Sequence, residues 1–188
     1  RLQRNTGKKG ELLTIVAKLP ASSLMTRAQN FLPAVQQFAA KWQVPEALIM
    51  AIMHTESGFN PLARSHIPAF GLMQIVPKSA GRDASRLVFG RERLLKGKDL
   101  YKPETNIAMG AAYLHILDSQ YLQGINDAKS RQLCVIAAYN TGPGNVAKAF
   151  IGRASMQRAF GVINQLTPDQ VFQTLQHDLP YEETRKYL

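Results

Sequence analysis

From Phe31 onward the apolar residues of this chain recur at the spacing of an α-helix, and no other property restricts its fold as tightly. Phe31, Leu32, Val35, Phe38, Ala39 and Trp42 mark a first helical face. Pro45-Glu46 opens a second helix, because proline suits the first turn and an acid suits its positive end. That helix runs to about Ser57, and Gly58 closes it. Pro77 opens a short helix. Pro103-Glu104 opens a long one through Ile107, Gly110, Leu114 and Leu117 to Tyr121, and residues 130–139 form the next. Thr167-Pro168-Asp169 sets a cap, a proline and an acid in order, so a helix through Val171 and Leu175 follows. Residues 181–188 read as a last helix. The predicted fold class is therefore mainly α: one compact helical domain over residues 29–188, with long functional loops and no internal repeat.

Residues 1–28 read differently. Glu11-Leu12-Leu13-Thr14-Ile15-Val16-Ala17 is a short run rich in strand formers, closed by Pro20. It predicts a short N-terminal strand left from a preceding domain, or an extended arm packed on the helical one. The chain opens at Arg1 with no methionine, signal peptide or lipid-attachment cysteine, which reads as a processed or trimmed piece. No stretch approaches the length of a membrane-spanning helix. The lone Cys134 sits in the apolar run Cys134-Val135-Ile136-Ala137-Ala138 and is expected to be a small buried hydrophobe.

The net charge of +10 implies affinity for polyanions: nucleic acid, anionic lipid or an acidic cell-wall polymer. The basic residues are scattered, however, with no dense basic helix and no aromatic–basic alternation, so no nucleic acid is expected as a partner. His54, His66, His115 and His177 have no metal-ligand spacing, and there is no phosphate-binding glycine loop and no nucleophile elbow. Neither a metal nor a cofactor is expected.

One acid stands out. Leu48, Ile49, Ile52, Met53 and Glu56 share one face of the second helix, so Glu56 falls at the C-terminal end of an apolar stripe. Burial and the negative end of the helix dipole both disfavour a charged carboxylate there. A carboxylic acid kept protonated near neutral pH is what proton donation to a glycosidic oxygen requires. Taken alone, a helix-end glutamate is more simply a solvated one.

Its context decides otherwise. Glu56-Ser57-Gly58-Phe59-Asn60-Pro61 is followed by Ser65, by Gly71-Leu72-Met73-Gln74-Ile75, by Asn106-Ile107 to Gly110 with Tyr113-Leu114, and by Ala138-Tyr139-Asn140. In that order these blocks resemble the lytic transglycosylases with a goose-type-lysozyme-like catalytic domain, most of all a membrane-bound branch of them. The likeness runs from about Phe31 to Leu188. It implies a lysozyme-like helical fold, with Glu56 as the single catalytic acid and base. Ser65 then orients that glutamate or the substrate, and Met73 and Gln74 line the sugar cleft. Tyr139 and Asn140 face the glutamate from the far wall, and Tyr187 closes the site. For Met73 alone, filling a core gap is the better default. The Tyr139 hydroxyl is expected to reach Glu56 or a bound acetamido group. Phe70 departs from the family, which carries a small residue there; a phenyl ring would narrow the cleft mouth.

Most glycosidases use two carboxylates across the scissile bond. No second acid falls in a matching block. Asp83, Glu92 and Asp99 lie in a basic loop region, and Asp118 on a helix. The resemblance implies a substrate that supplies its own nucleophile: peptidoglycan glycan strands, cut between N-acetylmuramic acid and N-acetylglucosamine to leave 1,6-anhydro ends. It also implies a periplasmic or envelope location, with a membrane anchor upstream of residue 1. The alternatives are a lysozyme-type hydrolase of the same fold, a non-catalytic glycan-binding module and, on charge alone, a nucleic-acid binder.

Overall fold

A computed structural model describes residues 2–7, 10–15 and 21–187. The N-terminal segment forms a two-stranded antiparallel hairpin, β1 (Leu2–Gly7) and β2 (Gly10–Ile15), with Leu2 opposite Ile15 and Gly7 opposite Gly10. The strand expected at residues 11–17 is thus paired with a segment too polar to signal a strand by itself; pairing rather than propensity makes β1. Val16 and Ala17, the end of that expected strand, lie outside the described residues.

Eleven helices are described after the hairpin. They are α1 (Ala21–Gln29), α2 (Leu32–Trp42), α3 (Glu46–Ser57), α4 (Ala80–Phe89), α5 (Gly97–Leu100) and α6 (Pro103–Ile116). Then follow α7 (Ala128–Thr141), α8 (Pro143–Ile151), α9 (Met156–Ile163), α10 (Pro168–Asp178) and α11 (Glu182–Tyr187). The long helix reaches Tyr121 as expected, but its last turn, Leu117–Tyr121, widens to a π-helix. None of the described helices is long and apolar enough to cross a membrane.

The centre of the molecule is α6. Ile107, Met109, Ala111, Ala112 and Leu114 are all buried, so this helix is apolar all round and enclosed by its neighbours. On it pack α2 and α4; α8 and α10 pack on α7, as does α11. Leu24 and Ala28 of α1 also rest against the core. Cys134 is buried there as expected, and burial pushes its thiol up to about 12.

The direction of three helices positions everything that follows. The C-terminal ends of α3 and α7 and the N-terminal part of α6 come together around the turn formed by residues 70–75.

Candidate active site

Glu56 is the penultimate residue of α3, half-buried, as its place on the apolar stripe foretold. The helix stops abruptly after it. Gly58 adopts a left-handed φ of 55° and donates its N–H to the His54 carbonyl at 2.9 Å. Ser57 Oγ lies 2.8 Å from the Leu72 carbonyl, so the end of α3 is joined to the turn that faces it.

That turn is held by its backbone. Phe70 and Ile75 exchange N–H to carbonyl bonds of 3.1 and 3.0 Å, closing a loop over residues 71–74. Four successive carbonyls are taken up. Phe70 O accepts Asn106 Nδ2 at 2.7 Å, Gly71 O accepts Gln74 Nε2 at 2.8 Å, Leu72 O faces Ser57, and Met73 O accepts the Tyr139 hydroxyl at 2.8 Å. Asn106, fully buried on α6, also accepts the Met73 N–H at 2.8 Å and donates to Leu100 O at 2.8 Å. Buried main-chain groups need partners, and here α3, α6 and α7 each supply one. Gly71 must be glycine. Its φ is +76°, and a Cβ there would run into Asn106 Nδ2 and the Leu100 carbonyl.

Opposite the turn, α11 brings in a second tyrosine. The Tyr187 hydroxyl donates to Glu56 Oε1 at 3.0 Å. Burial raises the Tyr187 phenol well above its usual value, and the Glu56 charge and this hydrogen bond raise it further, so the group stays a donor. Tyr139 is raised in the same way, by burial first and the Glu56 charge next. Asn140, beside it, accepts a hydrogen bond from the Thr184 hydroxyl at 2.7 Å.

Glu56, Tyr139 and Tyr187 therefore lie together, with Gln74 in the facing turn and Asn140 next to Tyr139, but three expectations change in detail. The Tyr139 hydroxyl is directed onto the Met73 carbonyl, not onto Glu56, because an enclosed carbonyl needs a donor. The Met73 side chain is fully buried against Gly110 and lines no cleft; only its main chain serves the turn. Ser65 is exposed, and its hydroxyl is turned onto the Ile67 carbonyl of its own loop. Phe70, the departure from the family's small residue, is half-buried. Its ring lies over Gly97, where a Cβ would be 2.8 Å away, and packs edge-on against Tyr101.

The sequence profile of the family described as "Transglycosylase SLT domain" matches residues 33–159. The chain belongs to this family. The chain is 43% identical, over all of its length and 52% of the relative, to membrane-bound lytic murein transglycosylase C of Sodalis glossinidius (strain morsitans). It is 42% identical over the same shares to the protein of that name in Yersinia pestis (strain Pestoides F). The chain thus spans about half the length of the curated relatives it matches. Among solved structures, an inactive Glu-to-Gln mutant of lytic transglycosylase Slt from Pseudomonas aeruginosa superposes with a TM-score of 0.60 and 31% identity. That match covers 82% of this chain and 21% of the other. The 70 kDa soluble lytic transglycosylase from Escherichia coli gives 0.59 and 26%, over 82% and 22%. The fold is accordingly the lysozyme-like one of the lytic transglycosylases.

In this SLT domain the four other acids singled out from the sequence are committed elsewhere. Glu92 pairs with Arg82 and Arg86, and Asp118 with Arg131. Asp83 accepts the Tyr121 hydroxyl, and Asp99 accepts the Lys96 N–H. Among the described residues no three His, Cys, Asp or Glu converge to hold a metal ion. The sequence reading quoted Ser57 and Asn106 within its blocks but gave them no role, and it gave none to Thr184. Only Asn106 carried a signal, as a polar residue inside a helix that is apolar on every side.

Proposed function

We propose that this chain is the catalytic part of a lytic murein transglycosylase, with Glu56 as acid and then base. The observation that carries the reading is the setting of Glu56: a half-buried carboxyl at a helix end, held by the Tyr187 hydroxyl at 3.0 Å. The family and the names of the relatives support the same class of reaction, and the Glu-to-Gln exchange in the inactive mutant of the Pseudomonas aeruginosa enzyme supports a glutamate in the central role.

In this mechanism Glu56 first gives its proton to the oxygen linking N-acetylmuramic acid to N-acetylglucosamine, and the C1–oxygen bond breaks. The acetamido oxygen of the same muramic acid stabilises the cation at C1. Glu56, now a carboxylate, takes the proton of the 6-hydroxyl, and O6 bonds to C1. The ring closes to the 1,6-anhydro sugar, the proton count balances, and no water is consumed. Tyr187 holds the carboxyl at the angle for both transfers. Gln74 offers a donor and an acceptor to N-acetyl or hydroxyl groups, and Asn140 completes the far wall. Ser65, exposed on its loop, is assigned a contact with the glycan strand rather than with Glu56.

The catalytic unit is taken as residues 29–188, with 1–28 as an arm or the remnant of a preceding domain; the seating of Leu24 and Ala28 on the core favours the arm. A periplasmic or envelope location, with an anchor upstream, fits relatives that are named membrane-bound.

Mass spectrometry of products from purified peptidoglycan tests the reaction. Anhydro-muramyl ends are expected, whereas a hydrolase of the same fold would leave reducing ends. Glu56→Gln should lose roughly 10²–10⁴-fold in rate, the range of general acid–base catalysis, while binding to the wall persists. Near wild-type digestion by this variant would overturn the reading.

A further inference from the structure

We propose that Thr184 is a positioning residue for the reaction: its hydroxyl, locked onto Asn140, holds α11 so that Tyr187 stays on Glu56. This rests on the reading of Glu56 as the catalytic acid. Six residues are too few for a helix to be stable by itself, since isolated helices shorter than about 12–15 residues are marginal in water. Tertiary contacts must therefore place α11. Among them are the hydrogen bonds of Arg185 Nη1 to the His177 carbonyl at 3.2 Å, Tyr187 to Glu56 at 3.0 Å, and Thr184 to Asn140 Oδ1 at 2.7 Å.

The Thr184 contact is the shortest of these and the most enclosed. Thr184 is 1% exposed, whereas the Arg185 contact is at the surface. A buried hydroxyl without a partner is costly, so this bond fixes where that face of α11 can sit. Thr184 and Tyr187 are three residues apart and share that face. Asn140 is the neighbour of Tyr139, whose hydroxyl secures the turn across the site. One end of α7 thus anchors both walls: Tyr139 the turn at residues 70–75, and Asn140 the helix that delivers Tyr187. The Asn140 side chain, expected from the sequence to face Glu56 from the far wall, turns its oxygen to Thr184 instead.

A soluble peptidoglycan fragment assayed with single and paired variants provides the test. Thr184→Val keeps the shape and removes the donor. It should lower kcat about three- to tenfold, the scale of one neutral hydrogen bond, with KM within about twofold. Thr184→Ser restores a hydroxyl and should recover most of the rate. In a Tyr187→Phe background, which has no hydroxyl left to deliver, Thr184→Val should cost less than about twofold more, because coupled residues are non-additive. If Thr184→Val does not fold, Thr184→Ala, a good helix former, carries the same comparison. Equal losses in both backgrounds, or a Ser variant as impaired as the Val one, would reduce Thr184 to a packing residue and overturn the proposal. Glu56→Gln in the same assay separates the two levels. An active Glu56→Gln removes the underlying reading, while an inactive one beside a fully active Thr184→Val removes only this inference.

Discussion

At Tyr139 the phenol does more for architecture than for chemistry. Its hydroxyl satisfies the Met73 carbonyl, and burial with the Glu56 charge keeps it protonated well past the usual tyrosine value of 10.0. A group whose folded pKa is raised contributes stability that is present below its unfolded value and is lost as pH rises through the folded one. Native stability should therefore hold up to about pH 10 on this account and fall above it. Tyr139→Phe leaves the carbonyl without its donor, at a cost of about 1–3 kcal/mol, and removes one of the groups responsible for the alkaline decline. Thermal unfolding followed from pH 7 to 11 should show a lower Tm at neutral pH and a shallower fall above pH 10 than in the wild type. An unchanged Tm would mean that the carbonyl finds another donor. The placement of Glu56 was legible in the sequence because a helical stripe ends on it. The partner of Tyr139 was not, because a main-chain carbonyl 66 residues away has no signature in a sequence. Met73 shows the same division: the blocks around it pointed to the cleft, and general methionine behaviour pointed, correctly, to the core.

Among the helices, α3, α6 and α10 begin where the sequence indicates, whereas the short helix expected to open at Pro77 begins at Ala80, after a turn, and α7 begins at Ala128, two residues ahead of the expected Ser130, where Asp127 caps it. The omissions have local causes. Pro143 was taken as part of a turn, whereas Gly142 makes the turn, with φ at 86°, and Pro143 is already the first residue of α8. No side-chain cap opens α9, and it contains Gly161, so neither its start nor its interior announces a helix. The turn at residues 70–75 is the element on which the site most depends, and it has least freedom at Gly71. Gly71→Ala would force a left-handed φ on alanine and drive its Cβ into Asn106 Nδ2 and a backbone carbonyl that cannot retreat. The backbone term is about 1–2 kcal/mol and the overlap about 1–3, so a loss of roughly 2–5 kcal/mol is expected. Gly90→Ala supplies the comparison. Its φ of +69° is similar, but nothing lies within 4 Å of a Cβ there, so only the backbone term should remain. Urea midpoints of the two variants measure the difference. Equal shifts would show that the contact with Asn106 yields easily and does not define the turn.

For the molecule as a whole, charge and catalysis are expected to be separable. The net charge is +10, while Tyr187, which donates to Glu56, and Tyr139, which feels the Glu56 charge, both remain protonated and neutral. Attraction to an anionic wall polymer acts over the Debye length, about 8 Å at physiological ionic strength and about 3 Å at 1 M salt. Hydrogen bonds at contact distance inside a half-buried site are screened much less. Raising salt from physiological strength towards 1 M should therefore release the protein from insoluble peptidoglycan. The kcat on short soluble fragments, which need no long-range capture, should change by less than about twofold if charge screening is the only effect. Pelleting with purified cell walls measures the first quantity and product formation from fragments the second, across one salt series. Should both fall together, the cations would have to act inside the cleft itself, and the scattered basic residues would need to be counted among those that hold the sugar chain in place.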